Sequence, residues 1–429
     1  MVADVIVIGG GWGGLTTGAI LAHNGLKVRL LEASGHLGGR SACDRKDGFL
    51  VDYGIHINGY ESAGPAAKAL REIGHDIDYL LYGKPLLYVE GEFIPLPTGT
   101  SSFLLSRHLS SAEKIIIGHG VRRLFVSRTG RTADKPIKEV IPGADREAVT
   151  TFYGILSSIG LIAPDIEVAS AGEFSKFLRR AMMARHQVSY PRGGTSQIND
   201  TLANKIMESG TISLNSRVKS LEIHNGKVRS LSIHEEDLKA RAVVLAIPVQ
   251  KIPELVGDAL SEDFKRKCAD LIPTSGLSLD LCLDSPVSQI DSFFITADPI
   301  TMGQFTSNLD PSTAPEGKQL ATFFYPLPCQ MLEDRALLDA EQARFMQLID
   351  EMFPGIMDHV EWERMLKLKM VDGFEPRVGQ TAKDRPSTRV EGAENLFLSG
   401  DCVGVEGKGG DVAFTSGIAA AHAVLDFLK

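Results

Sequence analysis

Three glycines near the start of the chain are spaced for contact with a diphosphate. Gly9, Gly11 and Gly14 fit the spacing G-x-G-x-x-G, in a loop that also contains Trp12 and Gly13. In this pattern the first glycine makes a tight turn, the second lets the backbone approach a pyrophosphate, and the third lets a helix pack against a strand. The N–H groups and positive dipole at the start of such a helix attract a diphosphate. We therefore predict that this loop binds a dinucleotide.

The elements that must position these glycines form a strand–turn–helix–strand unit. Residues 5–8 are an apolar strand, an apolar-periodic helix follows the glycines, and residues 28–31 predict a second strand that ends at Glu32. A carboxylate about 20 residues after the glycines accepts hydrogen bonds from ribose hydroxyls. We therefore add Glu32 and its neighbour Ala33 to the predicted site.

A further motif follows Glu32 by six residues, the sequence Gly38-Gly39-Arg40. The whole stretch from residue 5 to residue 40 resembles the N-terminus of the flavoprotein superfamily that contains phytoene-type desaturases, protoporphyrinogen oxidase and flavin amine oxidases. Simple NAD-dependent Rossmann enzymes do not share this last motif. The resemblance implies FAD rather than NAD, with Gly38, Gly39 and Arg40 among the residues that contact it.

Two later segments also resemble this superfamily. The backbone of Val218 matches a position that faces the adenine, and Gly400 with Asp401, after an apolar strand, matches the pair that holds the ribityl or pyrophosphate part of FAD. The last helix, predicted from about Val412 to Leu428, would point its N-terminus at the pyrimidine edge of the flavin. A helix N-terminus there stabilises the negative charge of a reduced flavin.

Three titratable residues are candidates for chemistry near the flavin: His56, Lys408 and Asp411. His56 could act as a base or orient a substrate, although a local hydrogen bond would satisfy it equally well. Asp411 could instead cap the last helix. We also consider four aromatic residues as pocket walls, although buried aromatics are most often core residues; they are Tyr53, Tyr60, Tyr190 and Phe374.

Two departures from the flavin amine oxidases bear on the reaction. The stretch from Lys408 to Asp411 lacks the aromatic residue that those enzymes usually keep there, and residues 278–283 lack their lysine. No cysteine lies between residues 330 and 400, which fits a noncovalent flavin. We expect an FAD-dependent desaturase or dehydrogenase that takes a hydride from an apolar, isoprenoid-like substrate. Oxygen, a quinone or another carrier would then accept the electrons.

Two other functions stay open. An amine oxidase or a protoporphyrinogen-oxidase-like enzyme would act on a C–N bond or a ring C–H bond. Rab GDP-dissociation inhibitors share the fold, bind no flavin and carry prenylated proteins. The intact set Gly9, Gly11, Gly14, Glu32 and Asp401 argues against such a carrier, because a carrier has no reason to keep pyrophosphate geometry.

The fold class implied is α/β, with two domains. Residues 1–74, 190–258 and 375–429 are predicted to form a Rossmann-like FAD-binding domain, a parallel sheet with helices. Residues 75–189 and 259–374 are predicted to form an inserted α+β substrate domain with a mixed or antiparallel sheet. Only one dinucleotide fingerprint occurs, which argues against a reductase that also binds NADPH.

Composition excludes some classes of function. The 429 residues carry a net charge of −9, which argues against a nucleic-acid partner. Five scattered cysteines without a CxxC pair predict reduced thiols in a cytoplasmic protein, with no metal site. The sequence contains no run of about 18 uncharged apolar residues, so we expect no membrane span. Basic residues among apolar ones between residues 101 and 184 fit a solvated face, a peripheral membrane contact or a gate to an apolar substrate channel.

Overall fold

The computed structural model describes residues 3–59, 61–97, 103–104, 106–127, 132–183, 188–233 and 236–429. The strands in these ranges are β1 (Val5–Ile8), β2 (Val28–Leu31), β3 (Cys43–Lys46), β4 (Phe49–Asp52), β5 (Asn58–Gly59), β6 (Tyr79–Leu81), β7 (Leu86–Val89), β8 (Glu92–Pro95), β9 (Val188–Pro191), β10 (Thr211–Ser213), β11 (Val218–His224), β12 (Lys227–Ile233), β13 (Glu236–Leu238), β14 (Ala242–Leu245), β15 (Gly276–Leu283), β16 (Phe294–Thr296), β17 (Met302–Phe305), β18 (Gln319–Pro326), β19 (Val360–Leu368) and β20 (Leu396–Leu398).

The α-helices in the same ranges alternate with these strands or form a separate wall. They are α1 (Trp12–His23), α2 (Pro65–Glu72), α3 (Ser111–Val126), α4 (Ile137–Val140), α5 (Glu147–Leu161), α6 (Ala171–Met183), α7 (Ser196–Met207), α8 (Ile252–Val256), α9 (Glu262–Ala269), α10 (Thr306–Leu309), α11 (Cys329–Glu333), α12 (Arg335–Met352) and α13 (Gly409–Leu428).

A parallel sheet of five strands forms the nucleotide-binding part of the fold. Its strand order is β10-β2-β1-β14-β20, so the order reverses between β1 and β14. Ligands of such sheets bind beyond the carboxyl ends of the strands at the point of reversal. The loop that leaves β1 at this point contains the predicted glycines, and Gly9 packs against the loop that leaves β14.

Apolar side chains cover both faces of the parallel sheet. On one face Leu15 of α1, Leu202 of α7 and Phe414 of α13 belong to one buried cluster. On the other face Val218 of β11 and Ile252 of α8 belong to a second cluster. Strands buried on both faces are continuous apolar runs, as residues 5–8 are. The predicted parallel sheet with helices is confirmed.

The second large sheet has seven strands in the order β19-β15-β18-β17-β16-β7-β8. Its neighbours are antiparallel except β16 and β7, which run parallel, so the predicted mixed or antiparallel sheet is confirmed. Helix α12 packs on this sheet through Phe345 and Ile349. Helices α3, α5 and α6 form a helical wall whose shared core includes Ile117, Val149 and Phe174.

The strands of the two sheets come from different parts of the chain. Those of the parallel sheet lie within residues 1–74, 190–258 and 375–429, and those of the seven-stranded sheet lie within 75–189 and 259–374. The domain boundaries themselves stay predictions.

Helix α13 is a core helix of the nucleotide-binding part. Among the described residues it is long and apolar enough to cross a membrane by length and composition alone. Its Val412, Phe414, Ala420 and Val424 are, however, buried inside the protein.

Candidate functional site

A cavity of about 1750 Å³ lies where the two sheets and the helical wall meet. Its polar part is lined by the N-terminal glycine loops and by the turn before α13. Its apolar part is lined by the helical wall and the seven-stranded sheet, including Phe152, Leu156, Phe177, Phe293 and Phe324. Pockets for drug-sized ligands measure roughly 300–1,000 Å³, so this cavity has room for a dinucleotide and a substrate together.

The glycine loop combines close packing with an open surface. A Cβ atom at Gly14 would lie 2.0 Å from the Gly9 carbonyl oxygen, and one at Gly9 would lie 2.3 Å from the Ala246 carbonyl oxygen. By contrast, a Cβ at Gly11 would meet only the Gly38 carbonyl oxygen, at 3.8 Å. Gly11 lines the cavity, so a side chain there would occupy the space that a diphosphate needs.

Glu32 is held in place at the cavity wall, next to Ala33. Its Oε2 accepts a hydrogen bond from the Gly10 amide at 2.6 Å, and its Oε1 accepts one from the Ser34 amide at 2.7 Å. An ionised carboxylate has about four lone-pair sites. Both oxygens therefore keep capacity to accept hydrogen bonds from ribose hydroxyls.

Arg40 and Asp401, predicted as separate contacts to the cofactor, contact each other across the cavity wall. The guanidinium donates to both carboxylate oxygens at 2.6 Å, and the Gly373 amide donates to Oδ2 at 2.5 Å. Burial raises the pKa of Asp401, but Arg40 and these hydrogen bonds outweigh burial and hold that pKa below its ordinary value. Asp401 is therefore a fixed negative charge.

Lys408 and Asp411 lie at the beginning of α13, and both line the cavity. The Lys408 ammonium donates a hydrogen bond to the carbonyl oxygen of Ile159, at the end of α5, at 2.6 Å. Burial lowers the pKa of Lys408 and raises the pKa of Asp411 to about 6. The turn therefore holds one half-buried cation, whose hydrogen bond bridges to the helical wall, and one half-buried acid.

His56 lies against Trp12, which begins α1. The two rings meet edge to face with centroids 5.7 Å apart, and the indole stacks on Phe414 at 4.7 Å. Burial lowers the pKa of His56, so the imidazole is neutral at pH 7. Its Nε2 and the Trp12 Nε1 are buried without a hydrogen-bond partner, and both residues line the cavity.

The structure brings most of the predicted contact residues to this cavity. Those that line it are Gly11, Trp12, Gly13, Glu32, Ala33, Gly38, Gly39, Arg40, Val218, Gly400 and Asp401. Gly9 and Gly14 instead pack against neighbouring backbone. Val412 is fully buried inside the core, and residues 407–411, which precede it, face the cavity in its place.

Of the four aromatic residues considered for the wall, Tyr53 lines the cavity and Tyr60 lies outside the described residues. Tyr190 and Phe374 do not line it, because both rings are buried in the core, which is the more common outcome for buried aromatic residues. The Tyr190 hydroxyl donates to Asp52 at 2.8 Å, and Phe374 lies 3.7 Å from the Arg385 guanidinium.

Two charged residues at the site were missed by reasoning from motifs. Asp372 lines the cavity in the loop after β19. Arg385 is 2% exposed and donates hydrogen bonds to the carbonyl oxygens of Val403 at 2.9 Å and Val405 at 2.7 Å. Neither residue belongs to a spaced motif, so the sequence offered no signal for them.

The residues present fit FAD. Gly11 leaves an open cradle for a diphosphate at the N-terminus of α1, and Glu32 offers acceptors for a ribose. The fixed Asp401 and the N-terminus of α13 border the part of the cavity that leads to the apolar walls. The bound flavin would supply the hydride-accepting chemistry, and this chain supplies binding and orientation.

Several known proteins are similar in sequence to this chain. The chain is 25% identical to a phytoene desaturase of Fusarium fujikuroi, over 85% of this chain and 72% of that protein. It is 19% identical to a 4,4′-diapolycopen-4-al dehydrogenase of Metabacillus indicus, over 92% of each chain. A coproporphyrinogen III oxidase of Propionibacterium freudenreichii is 32% identical, but the match covers only 24% of this chain and 20% of that protein.

A solved structure and a family profile extend the comparison. The crystal structure of an oxidoreductase from Methanosarcina mazei superposes with a TM-score of 0.82, at 20% identity, over 97% of this chain and 99% of that chain. This likeness shows the fold. The profile of the family described as flavin containing amine oxidoreductase matches residues 12–425. The chain therefore belongs to the flavin-containing amine oxidoreductase family, and it is an FAD-dependent oxidoreductase.

Proposed function

We propose that this enzyme removes hydrogen from an apolar, isoprenoid-like substrate. The observation that carries the proposal is the apolar part of the cavity, which continues from the polar glycine loops into the helical wall. Ile55, Ile57, Leu96, Met302 and Leu368 line it together with the five residues named above. Such a wall offers a substrate dispersion contacts and few hydrogen bonds. The names of the desaturase and dehydrogenase relatives support the same substrate class.

The chain's own residues would act by binding, orientation and exclusion of water. The Arg40–Asp401 pair and the first turn of α13 define one side of the reaction space, and the apolar wall defines the other. His56, Lys408 and Asp411 stay candidates for proton transfer or substrate orientation. The FAD is expected to be noncovalent, because no cysteine is among the described residues that line the cavity.

A second candidate is the oxidation of an amine. The carboxyl group of Asp372 lies in the cavity wall, with one oxygen buried without a hydrogen-bond partner, and its negative charge would attract an ammonium group. The amine-oxidoreductase family supports this alternative, whereas the mainly apolar lining favours a hydrocarbon.

The two candidates are separated by anaerobic reduction of the bound flavin. We expect phytoene in detergent micelles to bleach the flavin absorbance, and a panel of primary amines, including putrescine, to leave it oxidised. Bleaching by an amine alone would replace the first proposal by the second. Admitting oxygen or a soluble quinone to the reduced enzyme then identifies the electron acceptor, which is also part of the proposal.

We further propose that the helical wall contacts a membrane surface from the cytoplasm. Ile115 and Val126 of α3 are 73% and 65% exposed, and Met182 at the cavity wall is 63% exposed. Arg122 and Arg123 are exposed on the same helix. Apolar side chains beside basic ones are typical of surfaces that bind anionic bilayers. Flotation with liposomes tests this: Ile115→Glu should release the protein from phosphatidylserine vesicles, and flotation unchanged by Ile115→Glu would reject the contact.

A further inference from the structure

Asp372 is a buried carboxylate in the cavity wall that no motif of the sequence identifies. The residue is 8% exposed, and its Oδ2 is buried without a hydrogen-bond partner. A buried carboxylate oxygen without a partner costs stability, and such costs are concentrated at functional sites. We propose that Asp372 accepts the proton that the substrate releases on dehydrogenation, an inference that rests on the proposed function.

The backbone on both sides of Asp372 is held in place. The Asp372 amide donates to Thr274 Oγ1 at 2.8 Å, and the Val371 amide donates to the Thr274 carbonyl oxygen at 2.8 Å. On the other side, the Gly373 amide donates to Asp401. A group fixed in this way is preorganised, so little entropy is lost when a substrate binds against it.

The carboxyl group lies at the junction of the polar and apolar parts of the cavity. Leu368, Met370 and Val371, which precede it, line the cavity with apolar side chains. On its other side, a Cβ atom at Gly409 would lie 2.4 Å from Asp372 Oδ1. Asp372 therefore borders the first turn of α13. A substrate carbon that reaches the cofactor from the apolar part would pass beside the Asp372 side chain.

Four charged residues face this carboxyl group. Arg40 follows the Gly38-Gly39 turn, Asp401 follows β20, and Lys408 and Asp411 lie at the start of α13. Burial, and then the charge of Asp401, raises the pKa of Asp372 to about 6, while Lys408 and Arg40 oppose the rise. At pH 7 Asp372 is mostly ionised, and its protonated form is accessible. A group with its pKa near the working pH is suited to general base catalysis.

The proposed step balances in atoms and electrons. One substrate carbon loses a hydride to the bound FAD, which is the two-electron oxidant. The adjacent carbon loses a proton to the Asp372 carboxylate, and the electron pair of that C–H bond becomes the second bond of the new C=C. The carboxylate becomes a carboxylic acid, and solvent removes its proton in the next turnover.

His56 also lines the cavity with an unpartnered buried nitrogen, but its surroundings differ. Its ring packs on Trp12 at the start of α1, beside the loop whose Gly11 leaves room for the diphosphate. Asp372 instead adjoins the apolar residues that would hold the substrate. The geometry therefore favours Asp372 as the proton acceptor.

The test compares the holoenzyme with Asp372→Asn and His56→Gln by anaerobic stopped-flow reduction of the flavin by phytoene between pH 5 and 8. In the unmodified enzyme we expect the rate to rise about tenfold per pH unit below about pH 6, because the base must be ionised. Asp372→Asn should lower the rate at pH 8 by about 10²–10⁴-fold and abolish the pH slope. A slope kept by Asp372→Asn, or lost only in His56→Gln, would overturn the proposal.

A second readout does not depend on turnover. Infrared difference spectra of the holoenzyme between pH 5 and pH 8 should contain a protonated-carboxyl band that Asp372→Asn removes, with FAD content unchanged. A spectrum that Asp372→Asn leaves unaltered would contradict the inference. The matched control is Asp310→Asn, a buried aspartate that hydrogen-bonds to the Gly193 amide outside the cavity lining; it should keep the pH slope.

Failure of the proposed function is distinguishable from failure of the inference. If phytoene does not reduce the flavin of the unmodified enzyme and an amine does, the proposed function is wrong. If Asp372→Asn then raises KM for the amine and leaves kcat within threefold, Asp372 binds the ammonium and is not a proton acceptor.

Discussion

The guanidinium of Arg40 forms a bidentate ion pair with the carboxylate of Asp401, 361 residues later in the chain, with both nitrogen–oxygen distances at 2.6 Å. Arg40 follows the Gly38-Gly39 turn, and Asp401 follows β20. Paired guanidinium and carboxylate groups are geometrically specific as well as strong. The pair therefore joins the first and last segments of the nucleotide-binding part at the cavity wall.

Replacing Arg40 by Met should destabilise the protein in a pH-dependent manner. The substitution leaves the Asp401 carboxylate buried without its cation, which costs about 1–3 kcal/mol. Because the pKa of folded Asp401 is lowered, its contribution is present above the unfolded pKa of about 3.9 and is lost as the pH falls through the folded pKa. Urea unfolding should show a difference in the free energy of unfolding between Arg40→Met and the unmodified protein, and this difference should be smaller at pH 3 than at pH 7. An equal difference at both values would contradict this account.

Gly11 and Gly14 should respond differently to added side chains, although they are three residues apart. Gly11→Val places its side chain in the cavity, so we expect the free energy of unfolding to change by less than about 1 kcal/mol while FAD affinity falls more than tenfold. Gly14→Ala forces a Cβ to 2.0 Å from the Gly9 carbonyl oxygen, which costs about 1–3 kcal/mol or more. Flavin absorbance per protein and urea unfolding measure both effects.

Equal FAD content in Gly11→Val and in the unmodified protein would contradict the assignment of this loop to the diphosphate. Gly35→Val is a suitable control for FAD content, because Gly35 lies outside the cavity lining and a Cβ atom there would come no closer than 3.6 Å to another residue, Asn215.

Asp372→Asn should stabilise the protein at pH 8. Its folded pKa of about 6 exceeds the unfolded value of about 3.9, so the folded state binds more protons between these values and stability falls as the pH rises through them. Removing the charge should therefore raise the free energy of unfolding by on the order of 2 kcal/mol at pH 8 and change it little at pH 3.5. Urea unfolding of apoprotein measures this, and a loss of stability at pH 8 would argue that the carboxylate is well compensated.

Arg385 should matter for stability and for the shape of the cofactor site. Arg385→Leu removes the donors to Val403 and Val405, and the unsatisfied buried carbonyl groups cost about 2–4 kcal/mol. We expect a lower Tm and weaker FAD binding, because residues 402–405 follow directly on Asp401. Arg389→Leu is the control: this exposed arginine should be neutral to within about 1 kcal/mol. Equal Tm values for the two variants would refute the role of Arg385.

The parallel sheet and its ligand loop followed from local sequence, because short-range patterns determine them. A buried strand must be apolar, a tight turn beside a diphosphate must be glycine, and an acid must end the second strand. These constraints lie within residues 5–40, so they can be recognised without the rest of the chain. The seven-stranded sheet could be predicted in part for the same reason, since β15 and β18 are rich in apolar residues.

Other features depend on contacts between residues distant in sequence. Strand β19 contains charged residues among half-buried ones. Its place at the edge of the sheet depends on its pairing with β15, which is distant in sequence. Tyr190 and Phe374 are core residues because Asp52 and Arg385 reach them from elsewhere in the chain.

The sequence by itself predicted a dinucleotide near residues 9–14 with Glu32, Arg40 and Asp401 around it, since these residues stand in spaced motifs or in segments that resemble the flavoprotein superfamily. Only the tertiary structure decided that Arg40 and Asp401 contact each other, and that Asp372 reaches the same cavity. The physical reason is that the pKa and pairing of a buried carboxylate depend on which charges lie within a few ångströms. Those neighbours are brought together by the packing of the two sheets and the helical wall.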